Sequence, residues 1–121
     1  MDDEKLIRHA LQKALAQIGY DVVLAADGRQ AVELYEEAMQ AGRPFDLAIL
    51  DLTVRAGMGG VEAMRMLRNL DPAVRALVMS GYANNEVLQE YARYGFKEAL
   101  AKPFEMGTLR AVVSRVLGSP R

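Results

Sequence analysis

The chain contains no cysteine, which excludes disulfides and thiolate metal sites and suits a reducing compartment. No apolar run approaches the roughly 20 residues that span a bilayer, and the opening Met1-Asp2-Asp3-Glu4 is the opposite of a basic secretory leader. A cytoplasmic protein without a membrane partner is expected. Charge of one sign is scarce as well: the formal net charge is −1, with Lys and Arg scattered along the chain. That leaves no electrostatic footprint for nucleic acid. Repeats, linkers and low-complexity segments are missing too. The single histidine, His9, lies between apolar positions of a helical pattern and reads as a surface residue, not a ligand or phosphodonor. Gly57-Met58-Gly59-Gly60 lacks the Lys-Ser/Thr ending of a phosphate-binding loop and reads as a flexible turn.

What is present suffices for one core. At 121 residues the chain has the size of a single domain, and 51% hydrophobic with 26% charged residues argues against disorder. The spacing of Leu6, Ile7, Ala10, Leu11, Ala14, Leu15 and Ile18 predicts a first helix, stopped by Gly19. Asp21-Val22-Val23-Leu24-Ala25 predicts a strand, and Asp27-Gly28 turns the chain into a second helix that residues 42–44 end. The run from Phe45 to Asp51 predicts a buried parallel strand. In the third helix Val61, Met64, Leu67 and Leu70 share a face, and Asp71-Pro72 breaks it. Ala76-Leu77-Val78-Met79 predicts another strand, followed by Asn84 or Asn85 as cap of a fourth helix over residues 86–94, with Gly95 as its stop. A short strand reaches Lys102, and a last helix carries Leu109, Val112, Val113, Val116 and Leu117. Met64, Met66 and Met79 read as core filler, and Arg65, Arg68 and Arg75 as solvated charges.

This alternation predicts an α/β fold, a doubly wound parallel sheet over residues 1–117 with a tail at 118–121. Only four strands are evident. Asp2 and Asp3 lack a strand to deliver them to the sheet.

Chemistry concentrates at the strand ends, where open α/β sheets bind ligands. Asp51 closes one strand, Ser80-Gly81 follows a second, and Lys102-Pro103 follows a third. A carboxylate can act as a nucleophile toward phosphorus, but the dianionic product needs counter-charge. Asp2, Asp3 and Asp51 would repel one another unless a hard cation bridged them, and oxygen-only ligation with retained waters suits Mg²⁺. Lys102 offers a point cation, Ser80 a hydroxyl donor, and Gly81 an unobstructed backbone. Singly, each has a bland reading: a solvated acid, charge at a helix N-terminus, a turn before a helix.

Acid pair, strand-end Asp, strand-end Ser with a small neighbour, and Lys-Pro, in this order, resemble the receiver domain of two-component response regulators. Leu50-Asp51-Leu52-Thr53, Gly57-Met58-Gly59-Gly60 and Ser80-Gly81-Tyr82 bring the resemblance nearest to receivers of hybrid sensor kinases. It implies a flavodoxin-like receiver fold and Asp51 as phosphoacceptor from a kinase histidine. It further implies Asp2, Asp3, Asp51 and the Thr53 main-chain carbonyl as Mg²⁺ ligands, with Ser80 and Lys102 on the phosphoryl group and a cis bond at Pro103. Thr53 and Tyr82 would border that group and tune its hydrolysis. Implied partners are a sensor histidine kinase or phosphotransfer protein, and a downstream protein or a parent multidomain protein. Such a domain is a phosphoacceptor in a phosphorelay, not an enzyme.

Three departures accompany the resemblance. The family's first, central strand should precede the acid pair, and here only Met1 does. Unpaired sheet edges would favour association into a homodimer. The loop residue that is usually Pro is Arg55, which removes a backbone restraint, and the usual aromatic three before the Lys is Ala99, leaving Phe96, Tyr82 or Tyr94 as substitutes. Two rival readings follow: a receiver-like interaction module that takes no phosphoryl group because its acid pair is unanchored, and a small Mg²⁺-dependent phosphatase. The latter wants a second acid where this chain has Thr53.

Overall fold

The computed structural model describes residues 1–81 and 85–118. Three parallel strands form one sheet in the order β1 (Ala48–Asp51), β2 (Ala76–Ser80), β3 (Glu98–Ala101). Leu50 pairs with Val78 and Met79 with Leu100, so the three carboxyl ends lie on one rim. Helices α1 (Lys5–Gln17), α2 (Gly28–Gln40), α3 (Gly60–Leu70), α4 (Glu86–Gln89) and α5 (Met106–Gly118) cover both faces. α5 runs one residue into the expected tail.

Local chemistry explains the helix ends. Gly19, with φ of 96°, follows α1 as the expected stop. The Asp27 side chain accepts from the Gln30 N–H at the start of α2, and Asn85 does the same for Val87 at α4. Asn84 lies outside the described residues.

β2 is buried along its whole length, as expected for a strand covered on both faces. Alternation then sorts its side chains. Val78 joins Leu50, Tyr35, Met64 and Leu67 under α2 and α3, whereas Leu77 and Met79 join Leu11, Leu15, Leu109 and Val113 under α1 and α5.

Several expectations change. Residues 21–25 form no strand, so the described sheet has three strands rather than four. A ladder needs a neighbour, and the place beside residues 21–25 is a groove of about 70 Å³ lined by Met1, Val23, Ala25, Tyr35, Leu47 and Ile49. Met1 and Asp2 occupy its rim end. The Met1 ammonium donates to Ile49 O at 2.6 Å, Asp51 N–H donates to Met1 O at 3.0 Å, and Asp2 N–H donates to Ala25 O at 3.1 Å. On the other side of β1, Ala48 N–H donates to Arg75 O at 2.9 Å and Leu52 N–H to Met79 O at 2.8 Å, extending the pairing with β2 at both ends. Met1 and Asp2 thus bridge β1 and residue 25 at the rim, and Asp2 is anchored.

The fourth helix is shorter than its pattern suggested. It ends at Gln89, and residues Tyr91–Tyr94 tighten into a 3₁₀ turn before Gly95 at φ of 91°. Met66 is 40% exposed, unlike buried Met64 and Met79. Arg75 is no solvated charge: its guanidinium donates to Leu117 O at 3.1 Å, closing the end of α5. Phe96, 2% exposed, belongs to the core.

Candidate functional site

Because the strands are parallel and in register, Asp51, Ser80 and Lys102 arrive at one rim from three separate stretches. Lys102 N–H donates to Ser80 O at 2.7 Å, which continues the β2–β3 ladder up to the lysine. The Lys102-Pro103 bond is cis. Asp2, Asp51 and Ser80 are almost fully buried, at 0%, 3% and 1% exposure.

The Lys102 ammonium joins the acids: Nζ lies 2.6 Å from Asp2 Oδ2 and 3.2 Å from Asp51 Oδ1. Asp2 Oδ1 accepts from Glu4 N–H at 2.9 Å, and Asp2 O accepts from the Arg8 guanidinium at 2.9 Å. Asp3 is held from another direction, its Oδ2 accepting the main-chain N–H of Arg55 at 3.1 Å. One carboxylate oxygen from each of Asp2, Asp3 and Asp51 lies within 4.8 Å of the others. Three acids facing one lysine leave excess negative charge in a buried place. A hard divalent cation with oxygen ligands fits that donor set.

Electrostatics follow from burial. Asp51 titrates above the ordinary carboxylate range, first because it is buried and then because Asp2 adds like charge, while Lys102 pulls the other way. Burial acts most strongly on Lys102 and lowers its pKa, yet the pairings with Asp2 and Asp51 together outweigh it and the net shift is upward. Burial also depresses the Met1 ammonium to about 6 despite the attraction of Asp2 and Asp51.

The glycine-rich loop is packed, not a flexible turn. A Cβ on Gly60 would stand 2.7 Å from Asp51 O, and one on Gly59 would stand 2.7 Å from Leu52 O. Only glycine lets the start of α3 cross so near the end of β1. Gly81 differs, since a Cβ there would meet open space within 4 Å. Thr53 lies exposed on the loop leaving β1. Tyr82 is outside the described residues.

Two parts of the site escaped the sequence pattern. Met1 bridging β1 and Arg55 holding Asp3 both act through main-chain atoms, which leave no side-chain signature. The Pro-to-Arg departure at position 55 was visible, and it signalled a lost restraint; the structure shows a different restraint in its place.

Among curated proteins, the chain is 31% identical over 117 residues to sporulation initiation phosphotransferase F of Bacillus subtilis (strain 168), covering 97% of this chain and 90% of that protein. Among solved structures, it is similar to the receiver domain of sensor histidine kinase PA1611 from Pseudomonas aeruginosa PAO1, described with a magnesium ion coordinated in its active site cleft. There the TM-score is 0.84 and the identity 26%, covering 98% of this chain and 94% of that one. Chemotaxis protein CheY4 of Vibrio cholerae matches with TM-score 0.82 and 32% identity, covering 95% and 92% of the two chains. The family profile of the response regulator receiver domain matches residues 1–114. With that match over nearly its whole length, and with the α/β receiver fold, this chain belongs to the response regulator receiver domain family of two-component signalling.

Proposed function

We propose that this receiver domain takes a phosphoryl group onto Asp51 from a phosphohistidine of a sensor kinase or phosphotransfer protein. The observation that carries the reading is the contact of Lys102 with both Asp2 and Asp51, 2.6 Å and 3.2 Å away, at the rim where Ser80 ends β2.

A carboxylate oxygen of Asp51 attacks phosphorus, the new P–O bond forms as the P–N bond breaks, and the imidazole leaves. Pairing with Lys102 favours the anionic form of Asp51 against the opposing effect of burial. Mg²⁺, held by Asp2, Asp3, Asp51 and the Thr53 main-chain carbonyl, would supply counter-charge to the transferring group. Lys102 turns its ammonium to a phosphoryl oxygen and Ser80 donates its hydroxyl to another. Gly81 follows Ser80 and the cis bond follows Lys102, and Tyr82 comes next after Gly81 in the chain.

The inward pull on Ser80 shifts the loop after β2 and biases the face formed by α4, β3 and α5 toward a second arrangement, a population shift read by a downstream protein. Ala99 carries no ring, so the switch in this chain has no rotating aromatic at that position.

Acetyl phosphate with Mg²⁺ tests the reading. Intact-mass measurement should show one phosphoryl group, labile to hydroxylamine, dependent on Mg²⁺ and lost in Asp51→Asn. A chain that gains no mass under these conditions is not a phosphoacceptor.

A further inference from the structure

Of the three acids, Asp3 is the one that Lys102 does not hold. The lysine pairs with Asp2 and Asp51 only, and Glu4 N–H further fixes Asp2. Asp3 is half-buried, and among the described residues its carboxylate receives one hydrogen bond, from the Arg55 main-chain N–H at 3.1 Å. The Arg55 side chain is exposed and bonds no described residue. The contribution of position 55 therefore comes from its backbone.

That bond joins two segments that few others connect. Asp3 follows the Asp2–Ala25 bond, and the loop between β1 and α3 is tied at its start by Leu52 N–H to Met79 O at 2.8 Å. Toward its far end Gly28 N–H donates to Met58 O at 2.7 Å. Between those ties, Arg55 is where the loop grips the acid pair, and Thr53 lies two residues before it. A carboxylate with one oxygen fixed by an N–H presents its other oxygen in a set direction, as hydrogen-bonded metal ligands do elsewhere.

We propose that the Arg55 main-chain N–H is a positioning group for the divalent-cation site: it orients Asp3 and draws the Thr53 segment beside the acids, raising the affinity for Mg²⁺. This rests on the reading of Asp2, Asp3 and Asp51 as the cation ligands. Proline at position 55 has no N–H to give, so a chain with proline there must orient Asp3 by other means.

The test is Mg²⁺ titration of the full chain followed by amide NMR. Arg55→Ala keeps the N–H and should bind within about twofold of the parent, whereas Arg55→Pro should bind roughly tenfold more weakly, the scale of lost bonds to ligating groups. Unshifted Leu50 and Met79 amides would show that the fold of each variant is kept. Should Arg55→Pro fail to fold, the parent decides alone: its Arg55 amide must stay protected from exchange as Mg²⁺ saturates. Equal affinity in Arg55→Pro, or equal losses in both variants, overturns the positioning role while leaving the cation site standing. Release of the Arg55 amide on binding overturns it as well. A parent that binds no Mg²⁺ removes the cation site and this inference together.

Discussion

Lys102 lies nearer to Asp2 than to Asp51, with Nζ at 2.6 Å from Asp2 Oδ2 and 3.2 Å from Asp51 Oδ1. The ammonium therefore serves as a shared counter-ion between two buried acids that reach it from opposite parts of the chain. Its raised pKa comes from that sharing, against the opposing effect of burial.

Replacing it exposes what it offsets. Lys102→Met leaves Asp2 and Asp51 facing each other without the amine, and removing one partner of a buried pair costs about 3 kcal/mol or more. Mg²⁺ restores much of that loss, because a ligand that binds only the folded state stabilises it. Urea unfolding with and without Mg²⁺ checks this: the midpoint of the variant should depend more steeply on Mg²⁺ than that of the parent.

The pH dependence of stability carries a signature of Met1. Its ammonium has an ordinary pKa of 8.0 and is depressed to about 6 in the fold. The unfolded chain thus binds more protons between those two values, and stability rises with pH across the window. The penalty is absent above pH 8 and complete below pH 6, on the order of 3 kcal/mol from a shift of that size. Denaturant midpoints measured from pH 5.5 to 8.5 should climb through the window, and a flat profile there would contradict the buried amine.

The groove beside Ile49 makes a third expectation. Bond parity extends from Met1: a residue placed before it would donate to Val23 O and accept from Ala25 N–H, and the one before that would pair with Leu47 O and Ile49 N–H. Both faces at this point are apolar. Joining four β-branched apolar residues ahead of Met1 should therefore stabilise the chain by several kcal/mol, given about 1.5–3 kcal/mol for each such side chain buried. It should also protect the Ile49 and Ala25 amides from exchange. A lysine-rich segment of equal length should do neither.

Most of the helices were legible because their apolar spacing is local, and Asp27 and Asn85 announced helix starts through their side chains. The fourth helix was overextended because residues 91–94 keep an apolar rhythm while their backbone tightens into a 3₁₀ turn. Arg75 looked like a surface charge because nothing near it in the chain tells that α5 ends within its reach. Residues 21–25 have the composition of a strand, yet composition cannot supply the neighbour that a ladder needs.

From the sequence alone came the order of the helices, the buried faces of α3 and α5 and the strand ends that carry Asp51, Ser80 and Lys102, since periodicity and strand polarity are properties of short stretches; Leu6, on the predicted apolar face of α1, is instead 86% exposed. Tertiary structure alone decided that Met1 bridges β1 and residue 25, that Lys102 divides itself between two acids, and that Arg55 holds Asp3. Those contacts join atoms far apart in the chain, two of them through main-chain groups that every residue but proline possesses. No pattern of side chains can encode them before the chain has closed on itself.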